Sequence, residues 1–257
     1  MSRGRALDLL LKIANVAALA VVVGAVVAGL LYWGFASDTE IHAVRRAPTV
    51  EDHVRRTIFE RIYAEGLWGK DDAGKGTSGP GSTLEATKLY RAFLQDFLAA
   101  NHIRSVVDAG CGTWEFSRAI DWSGIDYTGL DIVASVIEAD QRRFGAPNIH
   151  FAVADIVRDD LPPADLLIVK DVLQHLSNAD IHRFLAQLPR YRHVLLVNGV
   201  EPDSLTAEPS ELPQGLYRPL DPTRPPHSVA GTKVFAWRYG QFTNLVVHVQ
   251  PRAAGNK

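Results

Sequence analysis

Cysteine is nearly missing from the chain. Cys111 is the single one in 257 residues, which excludes an intramolecular disulfide and a cysteine-based zinc site. An excess of positive charge is also missing. Lys and Arg number 27 against 29 Asp and Glu, for a net charge of -2, so there is no basic footprint for nucleic acid. No Asn-x-Ser/Thr acceptor occurs, so nothing points to glycosylated secretion. The nine histidines show no metal-ligand spacing, and no metal is expected. A P-loop is absent. The third glycine of a dinucleotide fingerprint is absent too, because Gly110-Cys111-Gly112-Thr113-Trp114-Glu115 puts a carboxylate where a pyrophosphate would lie. That disfavours NAD and FAD.

What is present divides the chain. Residues 13–33 form a run of 21 in which only Asn15 is clearly polar, ending on Tyr32 and Trp33. At about 1.5 Å per residue such a helix crosses a hydrocarbon core of about 30 Å, and a terminal aromatic pair suits the interface. A single-pass membrane anchor is the expectation. A signal peptide, with Gly34-Phe35-Ala36 as its cleavage site, and a buried core helix remain open beside it. The charges do not decide orientation: Arg3, Arg5 and Lys12 precede the run, and Arg45 and Arg46 follow it. The expected division is an anchor over 1–36, a linker and helical lid or cap over 37–100, a catalytic domain over 101–250, and a tail over 251–257.

Within the lid region Thr49-Val50-Glu51-Asp52 reads as a helix start, with Val50, Val54, Ile58 and Ile62 as its apolar repeat and Gly66 as its stop. Residues 67–81 read as a loop carrying Trp68 and a Gly79-Pro80-Gly81 break. Ser82-Thr83-Leu84-Glu85 reads as a second capping box. Strands and helices then alternate. Strands are expected at 104–108, 127–131, 149–153, 165–170 and 193–198. Helices are expected at 114–121, 134–144 and 179–188, the last capped by Ser177 or Asn178. This order argues for a parallel sheet covered on both faces. Between positions 198 and 230 stand seven prolines, and so long an irregular segment is usually functional. Runs at 233–238 and 245–249, with Gly240 between them, predict an antiparallel hairpin.

The chain is organised around Val106-Val107-Asp108-Ala109-Gly110-Cys111-Gly112, a strand end followed by a glycine turn. Three more strand ends carry an acid: Asp131, 19 residues after Gly112, then Asp155 and Asp171. In an open α/β sheet these line the crevice at the strands' carboxyl ends. A carboxylate at Asp131 can accept from a ribose diol, and one at Asp155 from an adenine amine, with Ile156 against the ring. An adenosine bearing a positive sulfonium suits such a rim better than a pyrophosphate.

These residues resemble a known family. Val107-Asp108-Ala109-Gly110-Cys111-Gly112 looks like motif I of class I S-adenosylmethionine-dependent methyltransferases. Gly129-Leu130-Asp131 resembles their ribose-binding motif, and Ala154-Asp155-Ile156 their adenine-contact motif. Asp171-Val172-Leu173-Gln174-His175-Leu176 resembles the segment after their fourth strand, with Gln174 in place of the commoner Glu. The terminal hairpin matches their sixth and seventh strands. The resemblance covers about residues 100–250. It implies an α/β, Rossmann-like, doubly wound, mainly parallel seven-stranded sheet with an antiparallel C-terminal hairpin, and S-adenosyl-L-methionine as cofactor. The cofactor-binding residues it implies are Asp108, Gly110, Gly112, Trp114, Asp131, Ile132, Asp155, Ile156 and Asp171. Trp114 stands where the family often has a small residue. It is expected to wall the methionine end of the cofactor, with a cation–π contact worth about 0.5–2 kcal/mol.

Several residues keep two readings. Asp131 serves the cofactor or caps the following helix. Asp171 and His175 are the candidate catalytic pair, His175 as general base for a hydroxyl acceptor, or His175 merely packs and hydrogen-bonds. Cys111 reads as packing rather than as a nucleophile. Trp68, Ser78, Gly79 and Gly81 lie where a lid over the cofactor is often carried. Tyr217, Arg218 and Asp221 lie beside the expected acceptor site, and Tyr217 and Arg218 are the substrate-binding candidates. The expected function is a membrane-anchored methyltransferase, its catalytic domain cytoplasmic, acting on a small-molecule, lipid or glycan acceptor. A non-catalytic scaffold binding adenosine or S-adenosylmethionine is the alternative.

Overall fold

In the computed structural model, residues 48–200 and 213–251 are described, and all fall within one compact unit spanning 43–257. The expected anchor over 1–36 and most of the tail lie outside the described residues. Among the described residues no helix is long and apolar enough to cross a membrane.

Seven strands form one sheet: β1 Ser105–Ala109, β2 Asp126–Asp131, β3 Ile149–Val153, β4 Leu166–Lys170, β5 His193–Val200, β6 Thr232–Tyr239 and β7 Phe242–Val249. Their order is β3-β2-β1-β4-β5-β7-β6. The first five are parallel, and β7 runs antiparallel to both β5 and β6. Gly240 supplies the positive φ, 57°, that a two-residue hairpin turn needs at its first central position. The expected sheet, its mainly parallel sense and its terminal hairpin are all observed.

The sheet is apolar on both faces, as parallel strands covered by helices require. On β4, Leu167 and Val169 face one core while Leu166 and Ile168 face the other; on β5, Val194 and Leu196 alternate likewise with Leu195 and Val197. Helices α1 Val50–Glu65 and α4 Asn178–Leu185 cover the first face. Helix α2 Lys88–Ala100 covers the second through Tyr90, Leu94 and Leu98, and α3 Ala134–Phe144 packs beside β2 and β3.

Both caps at the ends of α1 form. Thr49 and Asp52 make a reciprocal capping box, and Gly66 closes the helix in the left-handed conformation. The expected apolar repeat on α1 holds only in its second half, where Ile62 is buried and Ile58 packs against the core. Val50 and Val54 are exposed, and Arg55, Phe59, Ile62 and Tyr63 point inward. The inward set repeats at i, i+4, i+7 and i+8, so it is helical in period, but it includes an arginine that apolar counting assigns to solvent. The second capping signal also shifts. Thr83 Oγ1 accepts from the backbone N–H of Ala86, and regular helix begins only at Lys88.

The helix expected at 114–121 does not form. A single 3-10 turn, Ser117–Ala119, stands in its place. Trp114 takes φ 52°, which breaks a right-handed helix at its first residue. The indole Nε1 of Trp122 then donates to the Ser117 carbonyl at 2.9 Å, using an oxygen that a helix would use. Phe116, Ile120 and Trp122 are all buried, a demand that one helical stripe does not meet.

Candidate functional site

The strand order reverses between β1 and β4, which is where open α/β sheets bind ligands. A cleft of about 790 Å³ opens there, lined by the ends of β1 to β4 and by α1.

Asp108 ends β1 almost fully buried. Tyr127 Oη donates to its carboxylate at 2.6 Å. Burial pushes its carboxyl up to about 6, against the pull of the Tyr127 bond and of Lys170. The glycine turn follows, with φ 85° at Gly110 and 56° at Gly112. A Cβ on Gly110 would come within 2.3 Å of Val172, and one on Gly112 within 2.2 Å of Ser78 Oγ. Side chains at these positions would fill the cradle. Burial raises the Cys111 thiol well above its usual range, with Asp131 and Asp108 adding to the shift. It stays protonated and serves as packing.

Asp131 ends β2. Its two carboxylate oxygens accept from the backbone N–H groups of Gly112, at 3.1 Å, and Val133, at 3.0 Å. It does not cap α3, whose N-cap is Val133 with no side-chain bond. Burial raises its carboxyl, and the backbone donors oppose the shift. Each oxygen keeps a further lone pair, as acceptance from a diol requires. Ile132, Ile156 and Val157 give the cleft an apolar slot suited to an adenine ring. The turn, the carboxylate and the slot together fit an adenosine.

Asp155 is in the cleft, but its carboxylate is committed elsewhere. Arg55 Nε donates to both its oxygens, at 3.2 and 3.0 Å, and Arg55 Nη2 donates at 2.7 Å. Val157 N–H donates to Oδ1 as well. The same guanidinium bonds Asp180 at 3.1 Å and Asp52 at 2.7 Å. Asp155 therefore ties α1 to the floor of the cleft, and the acceptor sites expected for an adenine amine are taken by Arg55. Arg55, Tyr63, Phe116 and Lys170 are cleft residues that sequence reasoning missed. For Arg55 the signal was present in its helical spacing with Phe59, Ile62 and Tyr63.

Lys170 ends β4. Its ammonium donates to the Gly81 carbonyl at 3.0 Å, pairs with Asp171, and lies 5.2 Å from the Phe116 ring centre. Asp171 adopts φ 56°, a conformation that aspartate tolerates better than most residues. The His175 ring lies tilted at 35° against Trp68, with ring centres 4.7 Å apart. Its Nδ1 lies 3.3 Å from the Leu216 carbonyl. A carbonyl only accepts, so Nδ1 carries the proton and Nε2 keeps a lone pair. Burial lowers the imidazole's pKa, with Asp171 opposing, so the ring is neutral near pH 7.

A second chamber, about 1150 Å³ including its open mouth, adjoins the first. The two share Trp68, Ser78, Asp171 and His175 as walls. The lid residues Gly79 and Gly81 line it, as does Tyr217. Arg218 lines neither cavity. It is 4% exposed and donates to the Leu176 carbonyl and to Asn178 Oδ1, both at 2.8 Å, holding the start of α4. Asp221 likewise lines neither, and accepts from Lys233 and Thr223.

Trp114 corrects a further expectation. Its ring lies in the core on the second face, 5.0 Å from Phe144 and 5.4 Å from Phe151. The left-handed backbone turns the indole under the sheet, so it does not wall the cleft.

Residues 106–193, about a third of the chain, match a family model described as a methyltransferase domain. No curated protein matches the chain. Among solved structures, it is similar to magnesium protoporphyrin IX methyltransferase from Synechocystis PCC 6803 with bound SAM. That likeness has 15% identity and a TM-score of 0.52, over 76% of this chain and 95% of that one. It is similar to a structure described as conversion of a disulfide bond into a thioacetal group during echinomycin biosynthesis, at 17% identity and a TM-score of 0.50, over 78% and 94%. Human N-acetylserotonin methyltransferase in complex with SAM matches at 16% identity and a TM-score of 0.45. That match covers 65% of this chain, which spans only 56% of the human enzyme. At these identities the likeness is one of fold.

Proposed function

We propose that this chain, whose residues 106–193 match a methyltransferase domain, is a class I S-adenosylmethionine-dependent methyltransferase that moves the methyl group to a small-molecule, lipid or glycan acceptor held in the second chamber. The observation that carries this reading is the shared wall: Asp171 and His175 border both cavities. S-adenosylmethionine supplies a methyl group on a positive sulfonium, which departs as a neutral thioether. The chain's own residues do the rest. Asp131 is placed to accept from the ribose hydroxyls. Gly110 and Gly112 let the backbone approach closely. Ile132 and Ile156 would line the base, and the carboxylate of Asp108 would favour a cationic ligand. Holding donor and acceptor in line is worth up to about 7–11 kcal/mol.

For an acceptor that must lose a proton, His175 Nε2 is the base. His175→Gln lowers the transfer rate by about 10²–10⁴ and leaves S-adenosylhomocysteine affinity unchanged. In the unsubstituted protein the rate falls as pH drops through the imidazole's lowered pKa. A His175→Gln variant with full activity and an unaltered pH profile refutes the base. The whole reading is tested by calorimetry with S-adenosylmethionine followed by a turnover assay. Absence of binding at millimolar cofactor overturns it, and binding without turnover on any acceptor marks a scaffold instead.

The apolar run over 13–33 supports a membrane anchor, with the catalytic domain on the cytoplasmic side where the cofactor is made. A protease-protection assay that finds the domain on the opposite face overturns that topology.

A further inference from the structure

Four large apolar side chains stand exposed around one opening. Leu67 is 60% exposed, Tyr217 41%, Tyr239 38% and Phe242 42%, and all four line the second chamber. Single exposed apolar residues are ordinary, but several converging on one cavity mouth mark a binding surface. They come from three separate stretches: the loop after α1, the segment after β5, and the turn between β6 and β7. Tyr217 and Phe242 meet edge to face at 6.0 Å.

The interior extends this character. Trp68, Pro80 and Ala86 line it, and among the described residues no lysine or arginine does. The one carboxylate that the described residues bring to it, Asp171, is already matched by Lys170. The amide of Gln174 is partly spent, because its Oε1 accepts from the Gly199 N–H at 2.9 Å. An anionic group here would be desolvated without a cation, at a cost of several kcal/mol. A cationic group would meet a carboxylate already neutralised. Between this chamber and the first cleft stands His175, which borders both.

We propose that this chamber takes a neutral, predominantly apolar acceptor carrying a hydroxyl group, admitted between the rings of Tyr217, Tyr239 and Phe242. The inference rests on the methyl-transfer reading and narrows its acceptor. The hydroxyl points inward, and its proton passes to His175 Nε2 as its oxygen takes the methyl group. The apolar body stays among the rim side chains, where each buried Å² contributes about 25 cal/mol. Such a molecule reaches the rim either from water or from a lipid phase, and the chemistry is the same in both.

The test uses the full chain and three probes of one ring system: 1-naphthol, 1-naphthyl phosphate and 1-naphthylmethylammonium. Calorimetry in the presence of S-adenosylhomocysteine is expected to give 1-naphthol at least tenfold tighter binding than either charged probe. Phe242→Asp and Tyr217→Asp each weaken 1-naphthol at least tenfold and leave S-adenosylhomocysteine affinity within twofold. Leu89→Asp, at an exposed leucine outside the chamber, changes neither. Equal or tighter binding of a charged probe overturns the proposal, as does undiminished 1-naphthol binding in both rim variants. Failure of S-adenosylhomocysteine itself to bind overturns the methyl-transfer reading instead, whatever 1-naphthol does. A second arm compares methylation of 4-octylphenol held in phosphatidylcholine vesicles with that of 1-naphthol in water. Faster turnover of the first assigns a lipid-phase source and of the second an aqueous one, both within the proposal. Methylation of neither by a protein that binds S-adenosylhomocysteine overturns it.

Discussion

The two sides of the cleft are built on opposite plans. At the ends of β1, β2 and β3 every carboxylate is already held: Asp108 by Tyr127, Asp131 by two backbone N–H groups, and Asp155 by Arg55. Around the second chamber the large side chains at the rim are aromatic or aliphatic, Leu67, Tyr217, Tyr239 and Phe242, and they face solvent. A ligand rich in hydroxyls and charge needs polar partners fixed before it arrives. An apolar ligand needs area and shape, which many residue combinations supply. That is why one side is written in short motifs and the other in scattered residues from three stretches of chain.

The largest test of this contrast is Trp114→Ala. A buried indole is removed from the core under the glycine turn, so stability falls by about 3–5 kcal/mol with S-adenosylhomocysteine affinity within twofold. Denaturant unfolding paired with calorimetry reads both. Intact stability with a hundredfold loss of affinity would return the ring to the cofactor.

Arg55→Met comes next. It leaves Asp155 and Asp180 buried around a missing cation, and breaking such a set costs about 3–5 kcal/mol. The variant is expected to unfold at markedly lower denaturant, and Arg55→Lys, which cannot fork across the same acids, recovers only part. A loss below about 1 kcal/mol would show that the α1 contact is dispensable.

Asp131→Ala acts on the cofactor side alone. Hydrogen bonds to a charged group are worth about 1.5–3 kcal/mol each, so S-adenosylhomocysteine affinity drops about a hundredfold. Binding of 1-naphthol in the second chamber stays unchanged. A matching loss for 1-naphthol would merge the two sides into one site.

The smallest expected effect is at Asp140, behind the cofactor floor. Burial, with the charge of Asp131 added, pushes its carboxyl up to about 7, and Arg143 opposes. A raised carboxyl favours the fold at low pH, and that contribution is lost as pH rises through about 7. Asp140→Asn avoids the loss. Its melting temperature at pH 8 should exceed the parent's by about 2–4 °C, corresponding to about 1 kcal/mol, and match it near pH 4. An equal difference at both values would remove the titration as its cause.

The strands were legible because period and composition agree in them. The Ile149–Val153 strand and the Ala134–Phe144 helix lie where the pattern puts them. The failures share a cause. On α1 the apolar repeat pointed to Val50 and Val54 as well as Ile58 and Ile62, yet the face that turns inward carries Arg55, because two of its acids come from the segment after β3 and from α4. At 114–121 local propensity favoured a helix, and a left-handed Trp114 with several separate burial demands prevented it. Arg218 looked like a substrate contact from its neighbourhood, and in the fold its partners are the carbonyl of Leu176 and the side chain of Asn178.

By itself the sequence determined the sheet, the glycine turn and the row of acids at the strand ends. Each follows from residues close in the chain: alternation, φ preference and the position after a strand. Only the tertiary structure decided which acids stay available and what borders them. Asp155 is spent on a residue 100 positions earlier in the chain. The second chamber exists only where a loop, the segment after β5 and a hairpin turn converge. Hydrogen-bond capacity and cavity shape belong to groups brought together from distant positions, and no local pattern encodes them.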